Sequence, residues 1–573
     1  MEEKIAAIIH DLYGVETSPS LTRPEPQFGD YATNVALQMA KPLGKNPREI
    51  ATEIADKLRA TGDYAKVDVA GPGFINITLS DAALLALVRR EPAQSLRGKK
   101  VLVEYSDPNP LKPLHAGHLY TTLVGDTISR LIALAGAETV RINYGGDVGR
   151  HIGISMWAII RELGGEYPEK LAAIPEDERP SWLGARYVEG TAAFEDDPAA
   201  KPEIIATNKR VYQLHADNDH DSPFARVYWA VRQWSYDYFA ELYRQLEVMP
   251  FDRFIPESEV TPLGVKTVRE QLKKGVYKES DGAIVFEGEP YGLHTRVFIN
   301  SEGLPTYEAK DVGLLLTKWQ DYQYDLSYYI TANEQAQYFQ VMFKSVEQFL
   351  PEAIKGVVSM THGVVKLQGG VKMSSRRGNI VTAMDILEAA REAGAESGLD
   401  PSEETILAAV KYAFAKVRIG GDIAYDPKES IALDGNSGPY LQYAHARACR
   451  ILEKVVQARL TQPPPSQGLT LTSGEKGEFA KFAIPTEVME EDRLLVRKLG
   501  EYAEVVELAT RQLEPHHICN YLFELAQEFN RYYEQHHVIG SDREQHRAGL
   551  VALYADTLKA GLSILGIHAP GRM

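Results

Sequence analysis

Residues 101–130, VLVEYSDPNP LKPLHAGHLY TTLVGDTISR, constrain the fold more than any other stretch of the chain. Val101, Leu102 and Val103 form an apolar run of the kind that fills a buried parallel strand. Asp107-Pro108-Asn109-Pro110 ends that strand, and Pro113 suits the first turn of a helix. Leu119, Leu123, Val124, Thr127 and Leu131 then recur at helical spacing. His115 and His118 fall three apart at the helix start and share a face, with Gly117 between them leaving room for a flat ligand near the backbone. Strand, turn and helix N-terminus make an anion site: free amides and the positive end of the dipole meet a phosphate, and two imidazoles add donors. On an isolated helix the same pair would be ordinary surface histidines. The strand–turn–helix setting favours the phosphate site.

At 573 residues the chain exceeds what one hydrophobic core serves, so several domains are expected. Hydrophobic residues at 44% and charged residues at 25% are those of a soluble globular protein. No apolar run approaches the ~20 residues of a membrane span. The opening MEEKIAAIIHDLYG is acidic and amphipathic, unlike a targeting peptide. Two cysteines, Cys449 and Cys519, with no CxxC, point to a reducing cytoplasm, no disulfides and no structural zinc. The net charge of −17 neither supports nor excludes an RNA partner, because local basic patches bind RNA while the total limits nonspecific association.

Residues 1–90 read as a small α+β domain: Ile5, Ile8, Ile9 and Leu12 have helical spacing, and 67–69 and 74–79 read as strands joined by Gly71-Pro72-Gly73. Basic residues from Arg89 to Lys100 mark a linker into a doubly wound, Rossmann-like α/β domain, residues 96–385. Its second unit ends in Gly145-Gly146-Asp147-Val148-Gly149, where glycines permit close approach of a nucleotide and Asp147 could bond a ribose or a substrate cation. Residues 155–290 read as an insertion, with helices around 200–247 and strands around 277–298. Asp217, Asp219, His220 and Asp221 within it read as solvated surface rather than a metal cluster. The main sheet is expected to resume at 296–299, followed by a helix from Tyr307 and a strand at 328–330 that ends in Asn333-Glu334-Gln335. A helical connector, 386–430, and a helical domain, 431–573, complete the chain, with Pro463-Pro464-Pro465 as a loop breaker.

HAGH after a strand, with Asn109 and Lys112 just upstream, resembles the HIGH signature of class I aminoacyl-tRNA synthetases. Its companion KMSKS loop is resembled by Lys372-Met373-Ser374-Ser375-Arg376-Arg377-Gly378, and the flanking residues are similar to arginyl-tRNA synthetases along nearly the whole chain. The resemblance implies a ligase that activates L-arginine with ATP, carrying Mg²⁺, and esterifies the 3′-terminal ribose of tRNA(Arg), releasing AMP and pyrophosphate. It implies a monomer with no metal of its own. ATP would meet His115, Gly117, His118, Asp147, His362, Val364, Lys372, Met373 and Ser374. Lys112, Lys372 and Arg376 would join the two histidines in catalysis. Glu104, Ser106, Asn109, His115, Tyr307, Asp311 and Gln335 would hold arginine, Tyr307 and Asp311 projecting together at i,i+4. Phe74 would stack on a base at the outer corner of tRNA and Asn76 bond its edge, while Tyr440, Tyr443, Tyr532, Tyr533 and Met573 would meet the anticodon loop. Alternation along FINITL leaves Phe74 open between base platform and core, and each tyrosine is open between RNA contact and packing.

Two positions depart from the family pattern. Ser375 stands where KMSKS has its second lysine, with Lys112 as the compensating cation, and Asp107 stands where the family usually has serine. Two rivals share these motifs: a class I synthetase for another amino acid, and an RNA-binding relative without activity. Tyr307/Asp311 favour a cationic substrate over the first, and intact HAGH with KMSSRRG weighs against the second. Donor–acceptor matching to a guanidinium rejects lysine and analogues lacking the fork without a separate editing domain, and none is visible.

Overall fold

The structure, a computed structural model, describes residues 1–368, 381–398, 401–460 and 482–573. Around its centre runs an all-parallel, five-stranded sheet. In chain order the strands are β1 (Lys100–Glu104), β2 (Glu138–Gly145), β3 (Arg253–Pro256), β4 (Leu326–Ala332) and β5 (Val357–His362). Their spatial order is 5-4-1-2-3. The winding reverses between β1 and β4, which opens a crevice at the carboxyl ends of those two strands. Val101, Leu102 and Val103 are each 0% exposed, as a strand covered on both faces requires.

The helix after β1, Ala116–Leu134, is buried almost all round. Tyr105, just past β1, lies so close that a Cβ on Gly125 would come within 2.3 Å of its ring. Two further helices, Glu257–Lys273 and Tyr307–Tyr322, cross backbone against backbone. A Cβ on Gly264 would stand 1.9 Å from the carbonyl oxygen of Ala309, and one on Gly313 would stand 2.2 Å from that of Val260. This crossing fixes how far Lys310 and Asp311 reach toward the crevice.

The region expected as one insertion is divided by β3, which lies within 155–290 yet pairs in the main sheet. Helices Arg179–Asp196, Ala200–Ala216 and Pro223–Gln245 precede it. Residues 296–299, expected in the main sheet, instead close a separate antiparallel sheet with Lys278–Ser280 and Ala283–Phe286. A four-residue strand with three apolar positions does not specify which sheet it joins, and Val297 is 37% exposed. Asp219 accepts the amide hydrogens of Asp221 and Ser222 at 3.0 Å, ordering the turn into the helix Pro223–Gln245.

The N-terminal domain is a three-stranded antiparallel sheet, Tyr31–Thr33, Phe74–Leu79 and Tyr64–Ala70 in spatial order, backed by helices. The C-terminal bundle includes Gly438–Leu460, Arg493–Leu499, Tyr502–Gln512, His516–Gln535 and Glu544–Ile564. Pro463-Pro464-Pro465 lie outside the described residues. The two outer domains meet directly. Arg493 donates to the buried Asp30 at 2.7 Å, Arg497 lies 3.5 Å from it, and Arg23 and Tyr31 both bond Glu504. Cys449 and Cys519 are both buried and form no disulfide.

Candidate active site

The loop between β1 and the HAGH helix is held in a conformation that L residues rarely adopt: Ser106, Asp107 and Leu111 have φ of 77°, 47° and 63°. It delivers His115 as the N-cap of the helix. The Nδ1 of His115 accepts the backbone N–H of His118, and the Nδ1 of His118 accepts that of His115, each at 3.4 Å. The rings stack with centroids 3.7 Å apart. A backbone amide only donates, so both Nδ1 atoms are acceptors and each neutral ring carries its hydrogen on Nε2. Burial, then Lys112 and His362, pulls the His115 pKa down to about 4; burial, His115 and Lys112 hold His118 well below the ordinary range. The site therefore presents two neutral Nε2–H donors at a helix N-terminus.

His362, at the end of β5, joins this group: it is 3% exposed, bonds the Gly363 carbonyl through Nδ1 at 2.7 Å, and packs its ring 4.6 Å from Tyr120. Val364 beyond it is 52% exposed, its amide fixed by Asp422 at 2.9 Å. Lys112 and His115 also line a cleft of about 460 Å³ with Tyr187, Tyr238 and Thr382. Lys372, Met373, Ser374 and Arg376 lie outside the described residues, as does the rest of KMSSRRG. The described chain on its downstream side is stitched to the HAGH turn: Ala116 donates to the Val381 carbonyl at 2.8 Å and Ala383 to that of Leu114 at 2.9 Å.

Next to the imidazoles, the crevice floor is acidic. Glu104 ends β1, 2% exposed, and accepts from Lys318 Nζ at 2.8 Å. Burial raises the Glu104 pKa and lowers that of Lys318. Asp311 is 7% exposed and accepts the Tyr338 hydroxyl. Burial, with Glu104 and Glu257 nearby, drives its pKa well above the carboxylate range. Asp107 is driven up likewise, by burial and then Glu104. Lys310 is taken by Glu257 at 2.5 Å. Lys318 feels Glu104, Asp107 and Asp311 together, and its Nζ is engaged by Glu104. Tyr307 and Gln335 are exposed at the rim, and Asn109 reaches across to Gly146, where a Cβ would stand 2.1 Å from its Oδ1.

Some expected contacts turn inward. Asp147 is 0% exposed, and its carboxylate takes the Ser258 amide at 2.9 Å, the Ser258 hydroxyl at 2.8 Å and Arg232 Nε at 2.9 Å. It ties β2 to two helices and leaves no oxygen for a ribose. The Ser106 hydroxyl is buried between Tyr243 and Thr122, each at 2.7 Å. Gly146 makes room for Asn109 rather than for a nucleotide. Lys318 and Tyr338 were missed. Lys318 lies seven residues after Asp311 on the same helix face, a legible signal; Tyr338 comes from a separate helix, and spacing gives no sign of it.

Phe74 is 41% exposed and lines a groove of about 590 Å³ with Phe28, Asn34 and Asn76, so its side chain lies outside the core. Tyr443 and Met573 are 46% and 43% exposed. Tyr532 is core, 4% exposed, with its hydroxyl on the buried Asp492 at 3.1 Å. That burial removes it from any RNA-facing surface. Tyr440 is partly buried and bonds Asn530 at 2.9 Å, and Tyr533 lies under Arg447 at 5.0 Å.

A doubly wound sheet with a histidine-capped helix after its first strand and a helical bundle behind it defines a class I aminoacyl-tRNA synthetase. Residues 81–416 match the family described as "tRNA synthetases class I (R), catalytic domain", residues 1–79 the "Arginyl tRNA synthetase N terminal domain" and residues 441–573 the "DALR anticodon binding domain". The chain is 30% identical to an arginine–tRNA ligase of Porphyromonas gingivalis, covering 100% of this chain and 99% of that one. It is 28% identical to another from Bacteroides thetaiotaomicron, with 100% of both covered. Among solved structures, Thermus thermophilus arginyl-tRNA synthetase shares the fold at a TM-score of 0.77 and 24% identity, covering 100% of this chain and 99% of that one. The chain belongs to the arginyl-tRNA synthetases, ligases that join arginine to tRNA at the expense of ATP.

Proposed function

We propose that the crevice beside β1 activates L-arginine and that the residues around it divide the work as follows. The observation that carries this reading is the acidic floor: Asp311, buried and without a cationic partner among the described residues, beside a neutral imidazole pair at a helix N-terminus. A guanidinium supplies the missing charge, and its planar fork suits carboxylates. Asp311 and Glu104 form the floor, Asn109 stands beside it, and Tyr307 and Gln335 stand at the rim.

The arginine carboxylate attacks the α-phosphorus of ATP in line, forming the mixed anhydride and expelling pyrophosphate. A ribose hydroxyl of the tRNA terminus then attacks the carbonyl carbon and AMP leaves. No protein nucleophile is required; positioning and charge stabilisation suffice. The Nε2–H groups of His115 and His118 donate to the phosphoryl oxygens at the amide-rich helix start by Gly117. Lys112, and by family resemblance Lys372 and Arg376, neutralise the leaving pyrophosphate. Mg²⁺ rides on the ATP phosphates, where it spreads their charge. His362 and Val364, with Met373 and Ser374, border the nucleotide. Phe74 and Asn76 meet the outer corner of tRNA(Arg), and Tyr443, Tyr533 and Met573 its anticodon loop. The chain works as a monomer in the cytoplasm. No helix among the described residues is long and apolar enough to cross a membrane.

An aminoacylation assay with all twenty amino acids and total tRNA tests the reading: arginine alone should be attached, with ATP consumed. Charging of another amino acid in its place, or none, would overturn it.

A further inference from the structure

The acidic floor holds one carboxylate more than the family resemblance assigns, and its setting gives it a job. Asp107 follows β1 by three residues, on a backbone at φ 47° directly after Ser106 at φ 77°. Two successive side chains in the left-handed region aim the strand end in a way an extended backbone would not. Its Oδ1 accepts the amide of Tyr144 on β2 at 2.8 Å. Its Oδ2 accepts no hydrogen bond among the described residues. Among the charges that act on it are Glu104 and Asp311, both negative, and Lys318, whose Nζ is committed to Glu104 at 2.8 Å. Desolvation and the two negative neighbours favour its protonated form until a cation arrives.

Arginine brings two positive groups, a guanidinium and an α-ammonium. The pocket holds two carboxylates without a cation, Asp311 and Asp107. We propose that Asp107 is a specificity-determining residue that pairs through Oδ2 with a positive group of the amino-acid substrate, complementing Asp311. Serine at this position could offer one hydrogen bond but no charge. The inference rests on the arginine-activating reading and adds a residue to it.

The test uses the full chain with tRNA. Asp107→Asn keeps an oxygen for the Tyr144 amide and removes the charge; Asp107→Ser removes the charge and leaves only a shorter hydroxyl. Both variants should raise the arginine KM roughly tenfold or more, as loss of a charged partner does, while the ATP KM stays within about twofold. Competition with 4-guanidinobutyrate and with norvaline names the cation: the inhibitor that weakens in Asp107→Asn carries the group Asp107 holds. An arginine KM unchanged in the folded Asn variant would overturn the proposal. Should neither variant fold, Asp107→Ala takes their place with the same arginine and ATP KM readouts, and an unchanged arginine KM overturns the proposal equally. A wild type that fails to charge arginine would sink the broader reading, whereas normal charging with an indifferent Asp107→Asn sinks this inference alone.

Discussion

At the scale of single residues, the histidine pair is a reciprocal cap as well as a pair of donors. Each ring depends on the other's backbone amide for its tautomer, so the two are one unit. His118→Ala should lower kcat for aminoacylation by ~10²-fold or more, and the double alanine variant should cost little beyond that, because single loss already disorders both donors. Steady-state kinetics of the singles and the double check this; additive losses would mean independent roles. With the His115 pKa held at about 4, no histidine step should appear in the rate between about pH 6 and 8. The floor behaves oppositely. Asp311 is surrounded by Glu104 from β1, Tyr144 from β2, Glu257 and Lys310 from the crossing helices, and Tyr338. Its raised pKa means that a proton must leave before a guanidinium pairs, so the arginine KM should fall as pH rises above the usual carboxylate range toward neutrality. Asp311→Asn should raise that KM, flatten its pH dependence and leave the ATP KM nearly unchanged. The strand, turn and histidine-capped helix around HAGH were legible because they are local. The inward turn of Asp147 was not, because Arg232 and Ser258, which claim it, lie 85 and 111 residues away.

At the scale of elements, the floor depends on two glycines. Gly264 and Gly313 let helices Glu257–Lys273 and Tyr307–Tyr322 touch through their backbones, and Asp311 sits two residues from that contact. Gly313→Ala should destabilise the chain by about 1–3 kcal/mol from overpacking, more than the ~1 kcal/mol that helix propensity returns. A lower urea midpoint together with a raised arginine KM would be the signature; a stabilised variant would show that the crossing tolerates a methyl group. The same contrast explains what could be read in advance. β1 declared itself as a continuous apolar run leading into a long periodic helix. Residues 296–299 made a short, mostly apolar run too, but such a run does not say whether it joins the main sheet or folds back on its near neighbour, here 283–286. The insertion was read as one block for the same reason: β3 is four residues long and carries an exposed Phe254 at 42%.

At the scale of the whole molecule, the N-terminal sheet and the helical bundle are joined without the catalytic sheet between them. Asp30, 2% exposed, takes the Leu79 amide at 2.7 Å and faces both Arg493 and Arg497. Asp30→Ala leaves those groups partly buried without their acceptor and should cost about 2 kcal/mol. Thermal unfolding checks the stability. A tRNA KM that rises while the arginine KM holds would show that the junction serves the RNA end of the reaction. Glu504, which takes both Arg23 and Tyr31, is the second bolt.

The bolted junction turns two outlying surfaces into the jaws of a caliper. On the proposed function, the groove by Phe74 and the bundle face by Tyr443 sit on domains already bolted to each other, so an incoming tRNA would meet a gauge set before it arrives. Little ordering entropy is then lost on docking. A molecule bent at the wrong angle would touch one jaw and miss the other.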